Sequence, residues 1–350
     1  MGGSLKAVLT LVCFAFSPFA LGQAKLENPW LHQLVLHGTD LTWRQDYGGA
    51  DSVFEIIARD FPDHPAGFLY RAGVALSFAE DHELLLNRPR FDSLIEIGRQ
   101  KAGEMIARGR DKKWGRFFLA TADGSDSYAR VYGGDWVGGT IKGVASVRGF
   151  EEALGLDSTL SDACAGIGGY NYWRSKKTRY INWLPFVGDA RPQAFLMLQR
   201  AIESGTYNRF TAVSMLATIY TDAERFEDAI ECARFGLKHY PMNRTFLWEI
   251  STAFDRMGKS SEASQSYTDL LASIDRDPAG NPYNALVCRL NLAEALARVG
   301  DGSQARAHLT IVLQARVERF PEHLQARVRK NLERARLLEK KLSSQVGDGK

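Results

Sequence analysis

The chain has 350 residues, with 44 lysines and arginines against 41 aspartates and glutamates and a formal charge of +3. A balance that close to neutral excludes the strong basic field expected of a nucleic-acid binder. Four cysteines, of which Cys13 lies in the N-terminal apolar run, leave an odd three (Cys164, Cys232 and Cys288) at apolar-compatible helical places, which reads as small buried hydrophobes rather than a disulfide framework or redox pair.

Residues 1–22 read as a cleaved secretory signal. Lys6 supplies the positive region, Ala7 to Phe16 an apolar run too short to span a bilayer, and Ala20, Leu21 and Gly22 a small-residue cleavage site before Gln23. The expectation is export to the periplasm or the extracellular space. About 330 residues then remain, enough for two average domains or one elongated solenoid.

Asn28 and Pro29 suit the N-cap and first residue of a helix. It opens a helix-pair unit over residues 31–64, with Gly38, Leu41, Ala50, Phe54 and Pro62 at places 8, 11, 20, 24 and 32. Residues 65–205 carry three stretched units. Pro65 to Ala75 opens the first, with Ala72 at place 8, and its second helix, Phe91 to Arg108, arrives late; longer helices account for the delay. Lys113 to Asp123 pairs with Ile141 to Leu156 across the glycine-rich Tyr132 to Thr140, read as a flexible turn. Ser161 to Arg174, whose Gly166 to Gly169 reads as close helix packing, pairs with Pro192 to Glu203 across a partly looped insertion.

Residues 210–243 and 244–277 repeat one pattern at a period of 34. Leu216, Ala217, Tyr220 and Ala229 of the first correspond to Ile250, Ser251, Phe254 and Ala263 of the second, with Tyr267 at place 24. Residues 286–320 form one more unit around Ala293, Leu296 and Ala305. Glu322 to Leu342 reads as a terminal amphipathic helix, apolar through Leu324, Val328, Leu332, Ala335 and Leu338 and basic outside, followed by a disordered tail over 343–350.

With small residues at places 8 and 20 and large apolar ones at 7, 11 and 24, the chain resembles the tetratricopeptide repeat (TPR) family. The resemblance implies an all-α, right-handed superhelix over residues 23–342, with about seven helix pairs plus a C-terminal capping helix. In that family the first helix of each pair lines a concave groove. The matching positions here are Trp43, Tyr170, Trp173, Arg174, Trp248, Thr252, Arg256, Glu294 and Arg298, aromatic and arginine side chains of the kind that dominate binding hot spots. The lysine and asparagine clamp that some TPR proteins use for chaperone C-termini is absent, since Ser214, Thr218, Thr245, Glu249, Val287 and Asn291 stand at its places.

The segment Tyr172 to Pro192 sets Lys176, Lys177 and Arg179 among Tyr180, Trp183 and Phe186 and forms a secondary contact candidate, for a protein or for the periphery of a membrane. No phosphate loop, zinc motif, nucleophile elbow or CxxC pair is present. His32 and His37 lie five apart, off one helical face, and His82 beside Glu83 reads as a solvated helix end. The sequence therefore supplies no catalytic, cofactor or metal residues. It points to an exported scaffold, a monomer or a subunit, that binds a protein or peptide. A structural subunit of an envelope assembly or transport complex is the alternative, and an enzyme on a helical platform ranks below both.

Overall fold

The computed structural model describes residues 23–109, 111–178 and 188–347. The expected signal over 1–22, together with Arg179, Tyr180, Trp183 and Phe186, lies outside the described residues.

Fifteen α-helices are present among the described residues. They are α1 (Pro29–Trp43), α2 (Tyr47–Asp60), α3 (Ala66–Asp81), α4 (Arg88–Ala107), α5 (Lys112–Tyr132), α6 (Trp136–Leu156), α7 (Ala163–Lys177) and α8 (Arg191–Ser204), then α9 (Arg209–Asp222), α10 (Phe226–His239), α11 (Arg244–Arg256), α12 (Ser260–Asp275), α13 (Pro282–Arg298), α14 (Gly302–Leu313) and α15 (Glu322–Gly347). Each packs on its chain neighbours, and alternate helices such as α9 and α11 also touch, so the helices form sequential antiparallel pairs stacked as a TPR-like solenoid: seven pairs and a terminal helix.

The packing explains the small residues. Ala50, Ala72, Ala102, Ala217, Ala229, Ser251, Ala263, Ala293 and Ala305 are fully buried, each where two helices approach too closely for a larger side chain. At Gly166 a Cβ would fall 2.3 Å from the Phe150 ring, which is the close packing the sequence implied. Phe54, Tyr220, Ile250 and Tyr267 fill the spaces around these contacts. Asn28 caps α1 by accepting from the N–H groups of Trp30 and Leu31.

Among the described residues, α4, α5 and α6 of the second and third pairs are the longest helices before the terminal one, whereas α7 and α8 have only 15 and 14 residues. α3 runs to Asp81, and α5 and α6 have 21 residues each, α6 starting at Trp136 rather than Ile141. Of the glycine-rich turn only residues 133–135 are non-helical, and Gly134 supplies the positive φ of +90° that the reversal requires. At the other end α15 continues to Gly347, which replaces the expected disordered tail at its start.

Two further arrangements shape the molecule. At the amino end, Ala24 and Leu26 are buried. The Leu26 N–H donates to Tyr207 Oη at 3.0 Å, Thr206 Oγ1 donates to the Ala24 carbonyl, and Trp114 packs edge-on against Tyr207. Tyr207 is itself fixed because buried Asp162 accepts from the backbone N–H groups of Thr206, Tyr207 and Asn208.

The solenoid also closes on itself: the carboxyl ends of α1 and α3 meet the amino ends of α9, α11, α13 and α15. Trp43 stacks on Phe246 with ring centroids 5.6 Å apart, and Asn243 Nδ2 donates to the Trp43 carbonyl. Arg244 pairs with Asp81 and, at 2.9 Å, with Asp277. Asn281 and Asn284 both donate to the Asp81 carbonyl, and Arg327 pairs with Glu83.

Candidate partner-binding surface

The surface begins with α6. Asp135 caps the helix by accepting the Gly138 N–H at 2.9 Å and is held by Arg130 at 3.0 Å, so the chain turns sharply and Trp136 stands in the first helical turn. On the inner face Gly139, Gly143, Ser146, Phe150 and Ala153 recur at helical spacing and are buried. At Gly143 a Cβ would fall 2.7 Å from the Tyr170 ring, so α7 packs directly on bare backbone. Bulk is thereby displaced to the outer face, where Val137 and Ile141 are 75% and 65% exposed, and to the first turn beside α7, where Trp136 is 54% exposed.

α7 supplies the rest. Tyr172 is buried and donates to Asp222 at 2.8 Å, which fixes the helix rotation and turns Trp173 outward, packed edge-on against the Tyr172 ring and 37% exposed. Lys176 pairs with Asp222 and lies over the Trp173 ring. The Lys177 ammonium sits 3.7 Å from the Trp136 ring centroid, a cation–π contact joining the two helices, and desolvation pushes its pKa down. These cations in the last turn also complement the α7 dipole. Towards α3 the surface continues through Tyr128, bonded to Glu80, and Tyr132, whose hydroxyl donates to the Leu84 carbonyl at 3.3 Å. Beyond lies an open apolar notch of about 670 Å³ lined by Leu84, Leu85, Pro321, Glu322 and His323.

The expected groove residues divide by how the chain uses them. Tyr170, Trp173 and Arg174 come together on α7 with Lys176 and Lys177 of the secondary set, and the two expected sites merge there. Trp43 does not line an open groove, because it stacks in the closure contact. Trp248 packs edge-on against Tyr267, and Thr252 is half-buried on the same helix. Arg256 donates to the Thr221 carbonyl and pairs with Glu224 above the Phe226 ring. Glu294 receives Arg334 of α15, and Arg298 pairs with Asp255. The C-terminal half of the expected groove is thus taken up by contacts between its own repeats. Trp136, Val137 and Ile141 were hidden in the sequence inside the stretch read as a turn and just beyond it.

Elsewhere the polar side chains are mostly engaged within the chain, although His82 Nε2 and Asp277 Oδ2 lack a well-aligned hydrogen bond among the described residues. His82 is not a solvated helix end: it is buried, with Nε2 2.9 Å from Asp277 Oδ2 and Nδ1 2.9 Å from the Phe78 carbonyl. Asp81, His82 and Asp277 are close enough to share an ion, but Arg244 supplies the positive charge between the carboxylates, and Asp81 Oδ2 already accepts from Gln45 and Tyr47. That donor set is a salt-bridged pin, and it does not fit a resident metal. Cys164, Cys232 and Cys288 are free thiols, and burial pushes all three upward, Cys232 to about 12, which removes them as nucleophiles. No helix among the described residues is long and apolar enough to cross a membrane.

No family model matches the chain, and no curated protein matches it. Among solved structures it is similar to the TPR domain of P58(IPK), at 15% identity and a TM-score of 0.19, covering 89% of this chain and 99% of that one. The assignment of a helix-pair solenoid rests on the buried small residues and the pairwise packing, not on this likeness.

Proposed function

We propose that the protein is an exported, non-catalytic helical scaffold that holds a protein segment on the outer surface of α6 and α7. The observation that carries this reading is the set of exposed Trp136, Val137, Ile141 and Trp173 beside Lys177 and Arg174, in a molecule whose other arginines and aromatics of the expected groove are engaged within the chain. Aromatic and arginine side chains at a rigid, partly desolvated surface supply most of the affinity in protein interfaces. The export reading rests on Lys6, the apolar run after it and the small residues before Gln23. Cleavage there leaves the anchored Ala24 and Leu26 intact, and N-terminal sequencing of the mature protein should begin at Gln23.

The binding surface is tested by photocrosslinking in the native host, with a photoreactive residue at 136, 173 or 248 in turn. One dominant protein captured from 136 and 173 and absent from 248 is the expected result. Capture from 248 alone would return binding to the concave face, and crosslinks confined to the chain from all three positions would refute the scaffold.

A further inference from the structure

The partner's chemistry can be taken one step further, resting on the reading of α6 and α7 as a protein-binding surface. The charges that border it are unevenly used. Each neighbouring carboxylate has a partner within the chain: Asp135 has Arg130, Asp222 has Lys176 and Tyr172, Glu80 has Tyr128, and Asp189 has Arg191. Arg174 and Lys177, both exposed, have no carboxylate partner among the described residues, and Lys177 rests against the Trp136 ring. An exposed pair of cations beside the Trp136 ring, bordered by acids that already have partners, presents positive potential at the edge of the apolar stripe.

We infer that the segment bound here is acidic, with aspartate or glutamate side chains that meet Arg174 and Lys177 and aliphatic or aromatic side chains that cover Trp136, Val137 and Ile141. Association brings the missing carboxylates to the two cations and removes the apolar stripe from water. The acidic groups set orientation and on-rate, while the apolar side chains supply the larger part of the affinity. A carboxylate over Lys177 also leaves its contact with the Trp136 ring in place, since the ammonium has donors to spare.

The test uses the full mature chain, fluorescently labelled, on an array of short peptides of fixed leucine and tryptophan content in which the remaining positions run from all glutamate through all glutamine to all lysine. It is read at ~0.15 M salt, where long-range steering is screened. Binding is expected to rise with glutamate content. The doubly substituted Arg174→Glu, Lys177→Glu protein should lose about tenfold on the acidic peptides and gain on the basic ones, with Arg174→Gln, Lys177→Gln between. Trp136→Ser with Ile141→Ser should weaken every peptide, and circular dichroism of each variant should match the parent. Binding that is independent of peptide charge but lost in the Trp136, Ile141 variant would overturn the acidic partner and keep the scaffold. Absence of binding at every charge would overturn both. Sedimentation with phosphatidylglycerol vesicles accompanied by a blue shift of tryptophan emission, and lost on Trp136→Ser, would show a lipid surface as the occupant and overturn the acidic segment as well.

Discussion

The closure contact between α3 and α11 and the outer surface of α6 and α7 are built from the same residue types and use them in opposite ways. In the closure, Arg244 is 6% exposed on its side chain and lies between Asp81 and Asp277, while Trp43 stacks on Phe246. On the outer surface, Arg174 and Lys177 are exposed and the Lys177 ammonium lies over the exposed Trp136 ring. Residue type states what chemistry a position offers; the surroundings state whether the chain has already used it.

Removing charge from the two regions should separate them most sharply. Arg244→Met leaves two buried carboxylates without their cation and should cost about 3–5 kcal/mol in urea unfolding, whereas Arg174→Met should stay within about 0.5 kcal/mol. Adding Asp277→Asn to Arg244→Met should recover part of the loss, because it removes one of the unpaired charges. A loss below about 1 kcal/mol for Arg244→Met would mean that the closure is open in solution.

Acid sharpens the same contrast. His64, packed edge-on against Phe118 with Nδ1 accepting the Ala66 N–H at 3.2 Å, has its pKa lowered to about 4 by burial. The folded value is depressed below the unfolded one near 6.5, so the neutral side chain contributes its full stability above pH 6.5. That contribution shrinks as the unfolded chain takes up a proton and is gone near pH 4. The amount is about 3 kcal/mol. Burial lowers His32 and His308 in the same direction, so the quantity to measure is the difference between the parent and His64→Gln, which should close by about that much across the window. Peptide binding on the outer surface should respond differently, falling for the glutamate peptides only as their own carboxylates protonate towards about pH 4 and staying unchanged for the glutamine peptides. A parent and variant that run parallel from pH 7 to pH 4 would show that His64 is solvated.

What could be read in advance follows from the range over which each signal acts. The small residues at places 8 and 20 report a contact between one helix and its immediate neighbour, and Ala217, Ala229, Ser251, Ala263, Ala293 and Ala305 are all buried where that pattern required. The cap at Asn28 is more local still. The closure joins Trp43 to Asn243, Gln45 to Arg244 and Asp81 to Asn281, partners about 200 residues apart, and a repeat of 34 residues carries no information at that distance. The repeat alone therefore predicts an open groove at Trp43 and a solvated helix end at His82, and the closure contact engages both. The start of α6 was legible in principle. Gly139, Gly143, Ser146 and Phe150 keep helical spacing, Asp135 stands at the N-cap, and the bulky Val137 and Ile141 fall on the opposite face; the glycines of residues 132–140 mask that periodicity, and α6 starts five residues before Ile141.

Two tryptophans draw the comparison at its finest. Trp43 is half-buried and its indole stacks at 15° on Phe246 with Phe210 and Tyr240 around it. Truncation to alanine at a fully buried site costs about 3–5 kcal/mol, and a half-buried ring that also forfeits a stacked pair should lose about 2 kcal/mol. Trp136 is 54% exposed with the Lys177 ammonium against its ring, so Trp136→Ala should change stability by no more than about 0.5 kcal/mol. The order should invert for binding, with acidic peptides lost on Trp136→Ala and retained on Trp43→Ala at temperatures where both variants are folded. Equal loss of stability at both positions would mean that Trp136 is covered by the chain itself in solution, and the surface left for a partner would shrink to Trp173 and Arg174.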